Sequence, residues 1–399
     1  MQPFAMNSQK LQDIARALAT RLREGLAHDG RELRCFPTFL PAAEKETGGV
    51  SARQEAYVVD VGGSNVRAAV VARDAGSFSV VAGPAVRPMP WRAGERLDPE
   101  TFFGLQREAL ESLGVDGERP LGYCFSYPAE STRDGDARLL KWTKEIEVPA
   151  LVGQRVGRLL VEHVHRHSRL RCSRLAVVND TVASLLAGLT GPPNDAYAGL
   201  IVGTGFNLAA FFDAADVPKI GAEWHGSIAV NLESGNFTPP WLTEWDHVVD
   251  AQSRDPGEQR FEKAVSGGYL GRLAEAMVED VSLPDAAAVA RVLEAPADHP
   301  EHLVEVARSV YERSASWVAA ALAGLALVLS ERQPIRSLRV TAEGGLFWGT
   351  VGSRHLFAEK TTRVLTALLE DLGLPEIRFE IVRQEHANLI GAARAVLGK

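Results

Sequence analysis

Apolar positions change period along the chain, and each change marks an element. Leu11, Ile14, Leu18 and Leu22 recur at helical spacing and predict one amphipathic helix near the N-terminus. Further on, Tyr57–Val61, Val66–Ala72 and Leu121–Phe125 are dense in apolar, often β-branched residues and predict strands, while Pro99–Leu113 and Leu151–His165 carry a helical pattern. A second series follows, with strands predicted at Leu175–Val178, Ala198–Val202, Asn207–Phe212 and Ser337–Thr341 and helices near Trp241–Val249 and Gln259–Val278. The longest apolar run, Trp317–Leu329, falls short of the ~18 residues a membrane span needs. Charged Glu312, Arg313, Glu331 and Arg332 flank it, so it predicts a buried core helix.

This alternation is α/β order, written twice. The repetition has a local counterpart: Asp60-Val61-Gly62-Gly63-Ser64-Asn65 and Val202-Gly203-Thr204-Gly205-Phe206-Asn207 each sit between two apolar strands, which predicts two glycine hairpins facing one cleft. The Gly/Ser/Glu-rich stretch Glu44–Gln54 reads as a linker, with a boundary near residue 52.

Composition narrows the partners. A chain of 399 residues with 46% apolar side chains is too long for one ordinary core, so two domains are expected. A net charge of −8 and a pI near 5.8, with Lys and Arg scattered, give no basic field for nucleic acid or an anionic membrane. Small molecules are the expected partners, on a monomer or homodimer. Cys35, Cys124 and Cys172 are odd in number and lack CxxC spacing, which fits neither a disulfide framework nor a zinc site and points to a reducing, cytoplasmic compartment. The N-terminus has no apolar signal core, so its helix is expected to pack on the body.

The two glycine turns are the first candidate chemistry. Glycines without side chains bring backbone N–H groups against phosphate oxygens, and Arg67 adds charge beside the Gly62-Gly63 turn. Asp60 ends a buried strand, where a carboxylate needs a partner; a hydrated Mg²⁺ held near nucleotide phosphates would supply one, and capping the turn is the plainer role. Gly203-Thr204-Gly205 repeats the device with a hydroxyl between the glycines. Asn179-Asp180-Thr181 follows a strand and opens a helix, a position where Asn or Asp most often serves as an N-cap.

These residues do not stand alone. Phe125-Ser126-Tyr127-Pro128, Lys141-Trp142-Thr143-Lys144, Asn207, Asn231-Leu232-Glu233 and the run from Pro256 through Glu262 to Gly271 follow in order. The succession, from about Asp60 to Gly271, resembles the hexokinase family. That resemblance implies the duplicated ribonuclease-H-like fold of actin-like ATPases, α/β throughout, with small and large domains around a cleft. On this chain it implies residues 1–52 as a helix and lead-in packed on the large domain, 53–178 as the small domain with a returning C-terminal helix at 386–399, and 179–385 as the large domain. It further implies transfer of the γ-phosphoryl group of MgATP to the 6-hydroxyl of glucose or a related hexose. Position by position, Ser126, Tyr127, Thr143, Lys144, Asn179, Asn207, Glu233 and Glu262 would ring the sugar, and Asp180 would be the base. Lys144, Arg67 and Mg²⁺ held through water by Asp60 would spread the phosphoryl charge. Asp60, Gly62, Gly63, Ser64, Asn65, Gly203, Thr204, Gly205, Gly344 and Gly345 would line the nucleotide.

Trp142 is expected to be a domain-wall aromatic and Glu258 a solvated side chain. Three stretches depart from the family. Glu343-Gly344-Gly345-Leu346 replaces an Asp-Gly-Ser and basic residue, Glu385-His386-Ala387-Asn388 replaces a Gly-Ser-Gly-Lys, and Ser234 replaces a Trp. The first two fall on the donor side and leave two rival readings: a catalytically weak hexose sensor, or an ATPase of the same fold whose cleft holds nucleotide alone. Intact Asp60 and Asp180 argue against the former. Ser126, Lys144, Glu233 and Glu262 would be idle in the latter.

Overall fold

The computed structural model describes residue 4 and residues 7–40, 53–90, 96–143, 146–278 and 280–398. Most of the expected linker at Glu44–Gln54 lies outside them, as does Lys144. The chain divides into two compact units, one of Met1–Cys35, Asn194–Ser227 and Leu232–Arg383, the other of Phe36–Pro193, Ile228–Asn231 and Gln384–Lys399. This division departs from the expected break between residues 178 and 179. The helix Asp180–Ala187 joins the residues before it, because the C-terminal helix Ala387–Leu397 packs directly upon it: a Cβ added to Gly391 would lie 1.9 Å from the Ala183 carbonyl oxygen.

In that second unit five strands form one sheet in the order Ser77–Pro88, Asn65–Asp74, Gln54–Val61, Glu118–Phe125, Arg171–Val178. The first three are antiparallel neighbours and the last three parallel. Tyr57, Val59 and Val61 alternate onto a core shared with Phe102 and Leu110 of the helix Pro99–Glu111 and with Leu160 and Val164 of the helix Val156–His167. Intervening positions meet the C-terminal helix, so closely at Gly122 that a Cβ would lie 2.3 Å from the Ala392 carbonyl oxygen. With both faces covered, the inner strand Gln54–Val61 is buried without a break from Ala56 to Val61, whereas the edge strand Ser77–Pro88 alternates exposed and half-buried positions.

The other unit carries strands Phe206–Asp213, Ala196–Val202, Ser337–Glu343 and Arg378–Val382 in that order, the first pair antiparallel and the rest parallel. Its longest helix, Glu301–Leu329, extends well beyond the apolar run and by length and composition alone is apolar enough to cross a membrane. Its most apolar window is 83% buried inside the fold, as a core helix requires. Helix Ser8–Ala27 lies along it, and a Cβ on Gly324 would come within 2.6 Å of the Ala15 carbonyl oxygen. Within the core, Arg313 is held by the Asp246 carboxylate at 2.9 Å and by the rings of Phe4 and Trp317. The predicted single helix over Gln259–Val278 is two helices, Arg260–Val265 and Leu270–Glu275. Gly267 and Gly268 between them turn their N–H groups to the carbonyls of Gly203 and Thr204, at 2.7 and 3.2 Å, and this tertiary pairing replaces the helical one.

Candidate functional site

Parallel strands deliver their C-terminal ends to one edge of a sheet, where α/β folds place ligands. In the unit containing residues 36–193, cross-strand register puts Asp60, Cys124 and Val178 in one row at that edge, and Asn179 and Asp180 follow at once. Asn179 is the N-cap of the helix Asp180–Ala187, accepting from the Thr181 N–H at 2.9 Å. Asp180 stands in the first turn, with Oδ1 accepting from the Thr181 N–H at 2.8 Å and from its hydroxyl at 3.3 Å. The Asn179 cap fixes the backbone that carries Asp180.

Asp60 is 3% exposed. Its carboxylate accepts from Arg67, directly opposite in the hairpin, at 3.2 Å and from Asn388 Nδ2 at 3.4 Å. Burial pushes its carboxyl upward; Arg67, Cys124 and Asn388 oppose the rise, and the charge of Asp180 adds to it. Asn388 went unrecognised in sequence because it falls where the family motif is lost.

The hairpin closes through the Gly62 N–H donating to the Asn65 carbonyl at 3.1 Å, and the Tyr127 hydroxyl donates to the Gly62 carbonyl at 3.0 Å. Gly62 lies outside the left-handed region, and a Cβ there would meet only the Asn65 oxygen, at 3.8 Å. Neither backbone conformation nor packing requires a glycine here, and its missing side chain leaves open space above the turn. Beside it Gly63 is half-buried and Ser64 exposed. Ser126 is buried, its N–H donating to the Val61 carbonyl at 3.1 Å. Tyr127 is 1% exposed, and its ring packs on Phe125 and Trp142, so it braces the hairpin from within. Trp142 is the wall aromatic expected: its indole N–H donates to the Val148 carbonyl at 2.8 Å and its ring meets Phe102 and Phe125, fixing the approach to half-buried Thr143.

In the other unit, three segments converge. Asn207 Oδ1 accepts from the Leu208 N–H at 2.8 Å, the Ser234 N–H at 3.1 Å and the Ser234 hydroxyl at 3.4 Å. Ser234 is fully buried, and its small side chain is what permits this clasp. Glu233 is held at φ 52°, a left-handed conformation uncommon for a side-chain-bearing residue and most often met where function fixes the backbone. Glu262 Oε2 accepts from the Phe206 N–H at 2.8 Å and packs over Gly205, where a Cβ would lie 2.5 Å from that oxygen. Gly235 completes the junction, with a Cβ there 3.3 Å from Glu262 Cβ and 2.9 Å from the Phe206 carbonyl oxygen. Glu258, by contrast, is exposed.

Gly203, Gly344 and Gly345 also come together. A Cβ on Gly203 would be 3.4 Å from Gly344 Cα and 3.6 Å from Gly345 N. Gly344 itself has φ 118° and lies against the Val202 carbonyl oxygen, 2.2 Å from where a Cβ would be. With Gly267 and Gly268 anchored to the same loop, these residues form a floor of bare backbone, a surface suited to flat or anionic groups.

Hexokinase family models match residues 1–190 and 197–289. The chain belongs to the hexokinase family. It is 32% identical over 296 residues to hexokinase-1 of Oryza sativa subsp. japonica, an alignment covering 70% of this chain and 58% of that one. To hexokinase-2 of Equus caballus it is 30% identical over 294 residues, covering 70% of this chain and 31% of that one. This hexokinase-family chain therefore spans about a third to just over half the length of those relatives. A solved hexokinase from Schistosoma mansoni, complexed with glucose, superposes with a TM-score of 0.79 at 23% identity over 98% of this chain and 96% of that one. Both units thus carry the α/β architecture of actin-like sugar kinases.

Proposed function

We propose that the chain transfers the γ-phosphoryl group of ATP to the 6-hydroxyl of glucose or a related hexose, in the cytoplasm. The observation that carries this reading is the placement of Asp180: first turn of a capped helix, at the carboxyl edge of a parallel sheet, beside the buried Asp60. Membership of the hexokinase family and a neighbour solved with glucose support the choice of acceptor. Three free thiols support a reducing compartment.

In this mechanism Ser126, Thr143 and Asn179, and likewise Asn207, Glu233 and Glu262, are the candidate hexose contacts, their side chains able to answer hydroxyls that both donate and accept. Lys144, outside the described residues, joins them by its place in the motif. Asp180 accepts the proton of the 6-hydroxyl as that oxygen bonds to the γ-phosphorus and the bond to the β-bridging oxygen breaks, leaving ADP and a hexose 6-phosphate. Asp60, with Arg67 and Asn388 holding its carboxylate, suits a hydrated Mg²⁺ near the phosphates, which would supply charge neutralisation there. Gly62 to Asn65 and the backbone floor at Gly203 to Gly205, Gly344 and Gly345 would take the nucleotide.

A matrix of ATP, ADP, GTP and polyphosphate against a hexose panel, read as hexose 6-phosphate in a coupled assay, tests the reading. ATP-dependent product is the expected result. Hexose binding with no product from any donor would instead identify a sensor.

A further inference from the structure

Among the described residues, Glu100, His163 and His167 form a cluster that the proposed reaction does not use, with one potential ligand atom from each within 4.8 Å of the others. His163 and His167 stand four apart on the last turns of the helix Val156–His167, and so on one face of it. Glu100 comes from the first turn of the helix Pro99–Glu111, where Asp98 caps the backbone by accepting from the Thr101 N–H at 2.8 Å. Both helices are locked into the sheet by Phe102, Leu110, Leu160 and Val164, so the three side chains are presented by rigid backbone.

We propose that this cluster binds a first-row divalent cation such as Zn²⁺ through His163 Nδ1, His167 Nε2 and the Glu100 carboxylate. The distances argue for it. Glu100 Oε2 lies 3.5 Å from His163 Nδ1 and Glu100 Oε1 lies 3.6 Å from His167 Nε2, so each carboxylate oxygen faces one imidazole. A charge-assisted hydrogen bond would be about 2.7–2.9 Å. Two atoms bound tetrahedrally to one ion at roughly 2.0–2.1 Å stand about 3.3 Å apart, close to what is found. His163 is 5% exposed, packs its ring on Phe103 and His167, and has no hydrogen-bond partner at Nε2 among the described residues. Glu100, His167, Arg107 and Arg166 are the charged and polar groups around it.

The helix C-terminus favours a cation at this end. Two imidazoles and a carboxylate prefer Zn²⁺, Cu²⁺ or Ni²⁺ to Mg²⁺. Three protein ligands leave one position open, and exposed Glu100 and His167 put that position toward solvent. The ion would clip two helices across the outer face of the sheet.

The test is calorimetric titration of Zn²⁺ into the chelator-stripped full chain, without hexose or nucleotide, so that it stands apart from the kinase reading. Saturation at one equivalent is expected, with visible d–d absorption on Co²⁺ substitution. His167→Ala and Glu100→Gln, both at partly exposed positions that spare the core, should each weaken binding at least about tenfold, while Asp60→Asn leaves it unchanged. Absence of saturable binding would overturn the proposal, as would equal affinity in His167→Ala and Glu100→Gln or loss of binding in Asp60→Asn alone.

Discussion

The turns at Gly62-Gly63 and Gly203-Thr204-Gly205 look interchangeable in sequence. Each closes a hairpin with a short backbone bond, Gly62 N–H to Asn65 at 3.1 Å and Gly203 N–H to Gly205 at 3.0 Å. Their glycines nonetheless exist for opposite reasons. Around Gly62 there is room, and the missing side chain keeps that room open. Around Gly205 there is none: the Glu262 carboxylate occupies it, while a Cβ on Gly203 would meet Gly344 Cα only at an ordinary contact distance of 3.4 Å. The first turn has open space above it; in the second, the Glu262 carboxylate already fills the space at Gly205. A glycine motif therefore identifies a turn, and only the packing says whether a ligand or the protein uses the space.

The largest effect should come from Asp180→Ala, which removes the proposed base. Turnover is expected to fall about 10²–10⁴-fold with hexose still bound, read by the coupled assay and by calorimetry; undiminished turnover would break the assignment. The contrast between turns is sharpened next by pairing Gly205→Ala with Gly62→Ala. Gly205→Ala drives a methyl into Glu262, so urea unfolding should show a loss of about 1–3 kcal/mol together with weaker hexose binding. Gly62→Ala should stay within about 0.5 kcal/mol of the parent and impair turnover through the donor. Equal stability losses would erase the distinction.

A smaller effect is expected from Asp60→Asn. Because the folded-state carboxyl is raised, the folded chain binds a proton more readily than the unfolded one. The stability linked to it is full below the ordinary carboxylate range and is lost as pH rises through the raised value. At neutral pH the buried carboxylate is therefore a cost, and Asp60→Asn should raise the melting temperature by about 2 °C, the gain disappearing in acid, while turnover falls. The smallest is Glu258→Ala, at an exposed site, which should move stability by less than about 0.5 kcal/mol and leave the kinetics unchanged.

Much of the site was legible because its residues are local. Asn179 and Asp180 follow a strand directly, and Asp60 opposes Arg67 within one hairpin. What escaped was contributed from afar. Asn388 reaches Asp60 across 328 positions, and the Glu262 to Phe206 bond spans 56. Tyr127, expected at the sugar, is turned inward by the aromatic cluster of Phe125 and Trp142. Ser234, a departure when read along the chain, becomes the residue that clasps Asn207.

By itself the sequence determined the alternating elements, the two glycine turns and the family, because period, propensity and short motifs act over a few residues. Only the tertiary structure decided where the units divide, why the helix after Gln259 breaks at Gly267, which glycines guard space and which yield it, and what partners Asp60. Those outcomes depend on backbone approaching backbone at van der Waals distance from remote parts of the chain, and contact at that range leaves no pattern in the linear order of residues.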